Sequence, residues 1–159
     1  MKVLFLCEGN YSRSPAADAI LKSFAIPNVE SGSAGLTDWG AGKPPNLLLE
    51  KALAEVGVKP ATHNPHLVTE AELLEARIIF VMESRHESIM RREHLAHYPK
   101  VKLLSELSGE LADIPNPPHD DLEKLRKSTS TIFRHLSDGR DWLAELAARI
   151  DEGGLKGPR

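Results

Sequence analysis

A chain of 159 residues with a net charge of −3 is sized for one domain around one hydrophobic core, and it carries no basic footprint for nucleic acid. A single cysteine excludes an internal disulfide framework and fits a reducing compartment, so the cytoplasm is the expected location. No apolar run reaches the length of a membrane span, and the short apolar stretch near the N-terminus is broken by Glu8 and lacks the pattern of a signal peptide.

Strand and helix patterns alternate along the chain. Residues 2–6 are an apolar run that reads as a first strand, and the only cysteine, Cys7, follows it directly. Ser14 and Pro15 form a helix-start signal with Ser14 as cap, and a helix is expected over 15–24. A short second strand is expected over 29–33, and helical apolar spacing covers 47–56. The β-rich run 77–82 reads as a buried parallel strand, 83–94 as a helix with charged faces and 101–104 as a short last strand. His94 and His97 stand close to metal-ligand spacing, but without clustered partners they read as surface histidines. Asp120 or Asp121 opens a long helix that sets Leu122, Leu125, Ile132, Leu136, Leu143 and Ile150 on or near one face, with Gly139 as a kink point.

This alternation implies one doubly wound α/β domain over residues 1–150, a central four-stranded parallel sheet flanked by helices with right-handed crossovers. The glycine-rich segment 151–159 is expected to be a flexible tail. Ligands of such folds sit at the carboxyl ends of the strands, where Cys7 lies.

From Cys7 to Pro15 the chain reads Cys-Glu-Gly-Asn-Tyr-Ser-Arg-Ser-Pro. A tight strand-to-helix loop turns its backbone N–H groups inward, and the helix N-terminus adds partial positive charge. Glu8, Gly9, Asn10, Tyr11, Ser12 and Arg13 are therefore expected to form a phosphate-binding loop after strand 1, a nest for inorganic phosphate or another oxyanion. The same field favours the thiolate of Cys7. Gly9 allows backbone angles that a branched residue resists, and Asn10 tolerates the left-handed region. Arg13 offers a planar fork to two phosphate oxygens, and Ser14 a hydroxyl to the sulfur.

On these residues the segment from Val3 to Ala17 resembles the signature of the low-molecular-weight protein tyrosine phosphatases. The resemblance continues through Ser31-Gly32-Ser33-Ala34-Gly35, Thr37-Asp38-Trp39, Gly57-Val58, His63 and residues 78–82, to about Leu146. It implies a hydrolase that moves the phosphoryl group of a phosphorylated protein or small phosphomonoester onto Cys7 and then releases it to water. By resemblance, Cys7, Arg13 and Ser14 are catalytic, and Asn10, Ser33 and His63 hold the loop in shape. Glu8, Tyr11, Trp39, Pro118 and His119 line the substrate pocket. Loop amides and Arg13 take the place of a metal, so neither metal nor cofactor is expected.

The chain departs from the resemblance at the general acid. The family carries an aspartate followed by proline, and here Asn116-Pro117 stands in that place. An amide cannot donate a proton at neutral pH, and losing acid help costs roughly 10²–10⁴-fold in rate. Asp120, Glu8 and Asp113 are the carboxylates that would substitute, although Asp113 also reads as a loop-backbone residue and Asp120 or Asp121 as a helix cap. Three readings stay open. One is a tyrosine-phosphatase-like hydrolase, slowed or altered in substrate choice. Another is a family member acting on phosphoarginine, whose guanidinium Glu8 could pair, or an arsenate-reductase-like member, which a lone cysteine disfavours. The last is a phosphate- or phosphopeptide-binding protein with weakened catalysis.

Overall fold

The computed structural model describes residues 1–60 and 62–154. Four parallel strands, β1 Lys2–Cys7, β2 Glu30–Gly35, β3 Ile78–Val81 and β4 Val101–Leu103, form one sheet in the order β2-β1-β3-β4. The helices are α1 Arg13–Ser23, α2 Leu47–Glu55, α3 Glu70–Glu75, α4 Ser84–Glu93 and α5 Leu122–Gly154. β1 is central, with Cys7 opposite Gly35 of β2 and Leu6 opposite Val81 of β3. The chain leaves β1 for β2 on one side and returns as β3 on the other. That reversal opens a crevice at the carboxyl ends of β1 and β3.

The two-residue period of the strands builds the layers. Val3, Phe5 and Cys7 pack with Ile78 and Phe80 against α1, α2 and α5, the last supplying Leu125, Ile132, Leu136 and Leu143. Leu4 and Leu6 pack with Ile79 and Val81 against Leu73 of α3 and Met90 of α4. Every residue of β3 is buried, covered on both faces, which is why it reads as an unbroken apolar run.

Several elements differ from their sequence expectations. α3 has only six residues, too few for a periodic signal, and starts from a Thr69–Glu72 capping box. α1 begins at Arg13 with Ser12 at its N-cap, so Ser14 is a helical residue and not the cap. Pro15 then stands in the first turn, where an absent N–H leaves nothing unpaired. α5 runs through Gly139 as one helix; a Cβ there would meet Leu107 Cδ2 at 2.5 Å, so the glycine serves close packing rather than a kink. α5 also includes residues 151–154, where the glycine content predicts a tail, while residues 155–159 lie outside the described residues. His97 is buried rather than on the surface, its Nε2 2.7 Å from the Glu70 carboxylate. Among the described residues no helix is long and apolar enough to cross a membrane.

Candidate active site

β1 ends on Cys7, and the chain turns into α1 across residues 8–12. Asn10 takes the left-handed conformation there, with φ 55°. Gly9 does not; it is glycine because a Cβ would lie 2.6 Å from Trp39 Cε3. Asn10 then fastens the loop. Its Nδ2 donates to Ser14 Oγ at 2.9 Å and Ser33 Oγ at 3.0 Å, and its Oδ1 accepts from the His66 N–H at 3.2 Å. Its carbonyl lies 2.8 Å from His63 Nε2. Burial lowers the His63 pKa, so the ring is neutral at neutral pH, and against a carbonyl Nε2 must carry the proton.

Ser14 Oγ lies 3.0 Å from Cys7 Sγ, and both residues are buried. Because that oxygen already accepts from Asn10, its own proton points either to the sulfur or to the Ala34 carbonyl, 3.4 Å away. Asn10, Ser14, Ser33 and His63, separate in sequence, are thus brought together around the loop that Cys7 opens.

Arg13 is 1% exposed. Its Nη1 donates to the Glu83 carboxylate and, at 2.7 Å, to the Ile114 carbonyl. Its Nε and Nη2 are buried without a hydrogen-bond partner among the described residues. Buried donors of a cation are costly to leave unpaired, so this side of the fork is built for an anion.

Glu83, two residues past the end of β3, joins a chain of charges from this buried floor to the surface. Arg85 Nε donates to Glu83 Oε2 at 3.0 Å, and Arg85 Nη2 donates to Glu8 Oε2 at 2.8 Å. The hydrogen bond from Arg85 holds Glu8 below the usual carboxylate range. Burial pushes Glu83 up, but hydrogen bonds from Arg85 and Arg13 outweigh it and the net direction is down. Behind them, the Glu83 N–H donates to Nδ1 of the buried His86 at 3.2 Å. Burial, and then the charge of Arg13, push His86 down to about 4.

Over Cys7 opens a cleft of about 510 Å³, lined among others by Glu8, Tyr11, Trp39, Asn116, Pro118 and His119. Each side chain expected from sequence at the pocket is therefore there. The rings of Tyr11, Trp39 and His119 stand together, with centroids 5.7 Å apart for Tyr11–Trp39 and 5.9 Å for each of the other pairs. Tyr11 Oη donates outward to the Pro44 carbonyl at 2.8 Å, and Lys43 Nζ sits 4.2 Å from the Trp39 ring centroid. A second cleft of about 360 Å³ lies beyond Tyr11, lined by Pro44, Asn46, Leu49 and His63 among others, and holds neither Cys7 nor Arg13.

Two of the three substitute carboxylates lie outside the pocket lining. Asp113 accepts from the Ser84 N–H at 2.7 Å and the Ser84 hydroxyl at 3.3 Å, which ties it to the start of α4. Asp120 does not line the cleft, and its neighbour Asp121 accepts from the Lys124 N–H at 3.1 Å as the cap of α5. Glu8 does line it, ion-paired to Arg85. Glu83, Arg85 and His86 escape a sequence reading. The available signal is an acidic residue directly after the buried run 78–82, and it acquires meaning only once β3 is known to flank β1.

Residues 2–151 match the family model described as low molecular weight phosphotyrosine protein phosphatase. The low molecular weight protein-tyrosine-phosphatase YfkJ of Bacillus subtilis (strain 168) is 28% identical over 127 residues, 74% of this chain and 80% of that protein. A protein-arginine-phosphatase of the same organism is 31% identical over 144 residues, 86% of this chain and 95% of that protein. Among solved structures, the YwlE arginine phosphatase from Geobacillus stearothermophilus superposes with a TM-score of 0.80 at 24% identity, covering 99% of this chain and 97% of that one, a likeness of fold.

Proposed function

The chain belongs to the low molecular weight phosphotyrosine protein phosphatase family, and on that premise we propose that it hydrolyses phosphomonoesters through a Cys7 thiolate. The observation that carries the reading is the buried Arg13, held through Nη1 and open at Nε and Nη2, at the start of α1 where the loop that follows Cys7 ends. The loop amides and those two nitrogens receive the equatorial oxygens of the phosphoryl group, where charge accumulates in the transition state. Cys7 Sγ bonds to phosphorus as the bond to the leaving atom breaks. Water then attacks the cysteinyl-phosphate, phosphate departs and the thiolate is restored. The Ser14 hydroxyl stabilises the sulfur as nucleophile and as leaving group. Asn10, Ser33 and His63 keep the loop in its binding shape. Asn116, at the place the resemblance assigns to the acid, can hold the leaving atom by a hydrogen bond but cannot protonate it.

Phosphoarginine is the second reading. A relative 31% identical to this chain is a protein-arginine-phosphatase. Glu8 at the pocket mouth, moreover, already accepts a guanidinium, that of Arg85. A substrate guanidinium bonded to phosphorus would compete for that carboxylate.

The test is turnover of an activated aryl phosphate, phosphotyrosine and phosphoarginine by the unmodified chain and by Cys7→Ser. Hydrolysis by the first and none by the second, with inorganic phosphate still bound by both, is expected. Turnover retained in Cys7→Ser removes the covalent mechanism. No turnover of any substrate by the unmodified chain leaves a phosphate-binding protein instead.

A further inference from the structure

We propose that His119 is a further catalytic residue, giving a proton to the leaving atom in the first step and taking one from water in the second. This rests on the phosphatase reading, because Asn116 leaves that reading without a proton source.

The side chains lining the cleft that could carry the proton are few. Glu8 lines it but is ionised, held so by Arg85. Tyr11 lines it but turns its hydroxyl away to the Pro44 carbonyl at 2.8 Å. Asp113 is tied to Ser84, and Asp120 does not line the cleft. Cys7 is the nucleophile. His119 remains, three residues beyond Asn116 and on the same cleft.

Its position is built. The segment that carries it is anchored at Ile114, whose N–H donates to the Met82 carbonyl at 2.8 Å and whose carbonyl accepts from Arg13 at 2.7 Å. Its ring then rests against both Tyr11 and Trp39, with centroids 5.9 Å away from each. The two rings, themselves 5.7 Å apart, form one aromatic wall against which the imidazole sits, on the cleft that Cys7 also lines. Of titratable and charged groups, Cys7 at the end of β1 and Glu8 and Tyr11 on the loop after it share its cleft, Arg85 pairs with Glu8, Lys43 lies over Trp39, and Asp120 and Asp121 follow it in the chain.

The steps balance. As the Cys7 Sγ–P bond forms and the bond from phosphorus to the leaving atom breaks, the imidazolium proton passes to that atom. In the second step a water oxygen bonds to phosphorus, its proton goes to the now neutral imidazole, and the electron pair of the S–P bond returns to Cys7. Histidine is the side chain whose two forms are both accessible between about pH 5 and 8, as this alternation requires.

The experiment measures kcat/KM from about pH 5 to 9 across aryl phosphates of graded leaving-group basicity, for the unmodified chain, His119→Asn and His119→Phe. The phenylalanine keeps a ring against Tyr11 and Trp39. Both variants are expected to lose about 10²-fold on the poorest leaving group and little on the most activated. The basic limb of the pH profile should disappear with the imidazole. Asn116→Asp placed in the His119→Asn background should restore turnover of poor leaving groups. An unchanged leaving-group dependence and pH profile in both variants overturns the proposal. A uniform loss in His119→Asn that His119→Phe recovers also overturns it, leaving His119 a wall only. If the unmodified chain turns over none of the series, the phosphatase reading falls first and this one with it.

Discussion

Arg13 is gripped through one nitrogen and open at two, and that asymmetry makes its substitutions informative. Lysine at this position cannot reach Glu83, the Ile114 carbonyl and an anion at once, because one ammonium replaces a planar fork. Arg13→Lys should lower kcat/KM by about 10²–10³-fold, the scale of a lost donor to transition-state charge; near-normal kinetics would reduce Arg13 to a source of positive charge. Glu83→Gln is subtler. It keeps the side-chain shape but leaves the Arg13 charge uncompensated, so the variant should lose roughly 1–3 kcal/mol. An anion in the loop would then supply the missing counter-charge. Added phosphate should therefore raise the melting temperature of Glu83→Gln more than that of the unmodified chain, and equal shifts would sever Glu83 from anion binding. The local half of this site was legible: Cys7, Asn10, Arg13 and Ser14 follow one another across the turn from β1 into α1, and their residue types point to an anion. Glu83 and Arg85 were not, because their meaning depends on which strand lies beside β1, which no local pattern encodes.

At the scale of elements, the phosphate-binding loop and the segment bearing Trp39 touch through backbone. A Cβ on Gly40 would stand 2.0 Å from the Gly9 carbonyl oxygen and 3.0 Å from Pro65 Cβ, and a backbone oxygen has no rotamer to escape into. Gly40→Ala should therefore separate the two segments. It should cost on the order of 10²-fold in kcat/KM, as a displacement near 1 Å does at a positioned site. Unaltered kinetics would show that the loop moves freely of Trp39. Gly139→Ala tests the other end of the molecule. Helix propensity favours alanine by about 1 kcal/mol, but overpacking costs about 1–3 kcal/mol. The added methyl would meet Leu107 at its Cβ as well as its side-chain tip, 2.8 and 2.5 Å away, so rotation of Leu107 cannot relieve it. A lower melting temperature is expected, and a higher one would return Gly139 to the role of a mere helix interruption. The long elements were legible from periodicity. Short ones were not: α3 has too few residues to show a face, and α1 opens at Arg13 from Ser12, a cap that makes no side-chain hydrogen bond to the helix end.

Across the whole molecule, alternation of apolar runs was enough to read a doubly wound sheet, since buried parallel strands and amphipathic helices leave few other packings. What charge does inside that packing was not readable, because burial is a property of the assembled fold. Burial is the first cause lowering the pKa values of His63, His86 and His135, and His86 falls furthest, to about 4. A histidine whose pKa is lower folded than unfolded takes up its proton more readily when unfolded. Its contribution is therefore complete above the unfolded value, about 6.5, and is lost as pH falls through the window toward the folded one. For His86 that window runs from about 6.5 to about 4 and is worth on the order of 3 kcal/mol. The groups facing it across the window are Arg13, Glu83, Arg85 and Glu8, and both carboxylates are held below their usual range, so they keep their charge through most of it. His66, raised despite its burial by the Asn64 carbonyl and Glu72, works in the opposite sense, but it is a partly exposed pair screened by solvent. The urea midpoint should therefore fall as pH drops from 6.5 to 4.5. His86→Gln should flatten that fall, while costing some stability at pH 7 through its altered fit behind Glu83. A fall equally steep in His86→Gln would place the titrating groups at His63 and His135, and the buried ring behind Glu83 would then be a packing residue alone.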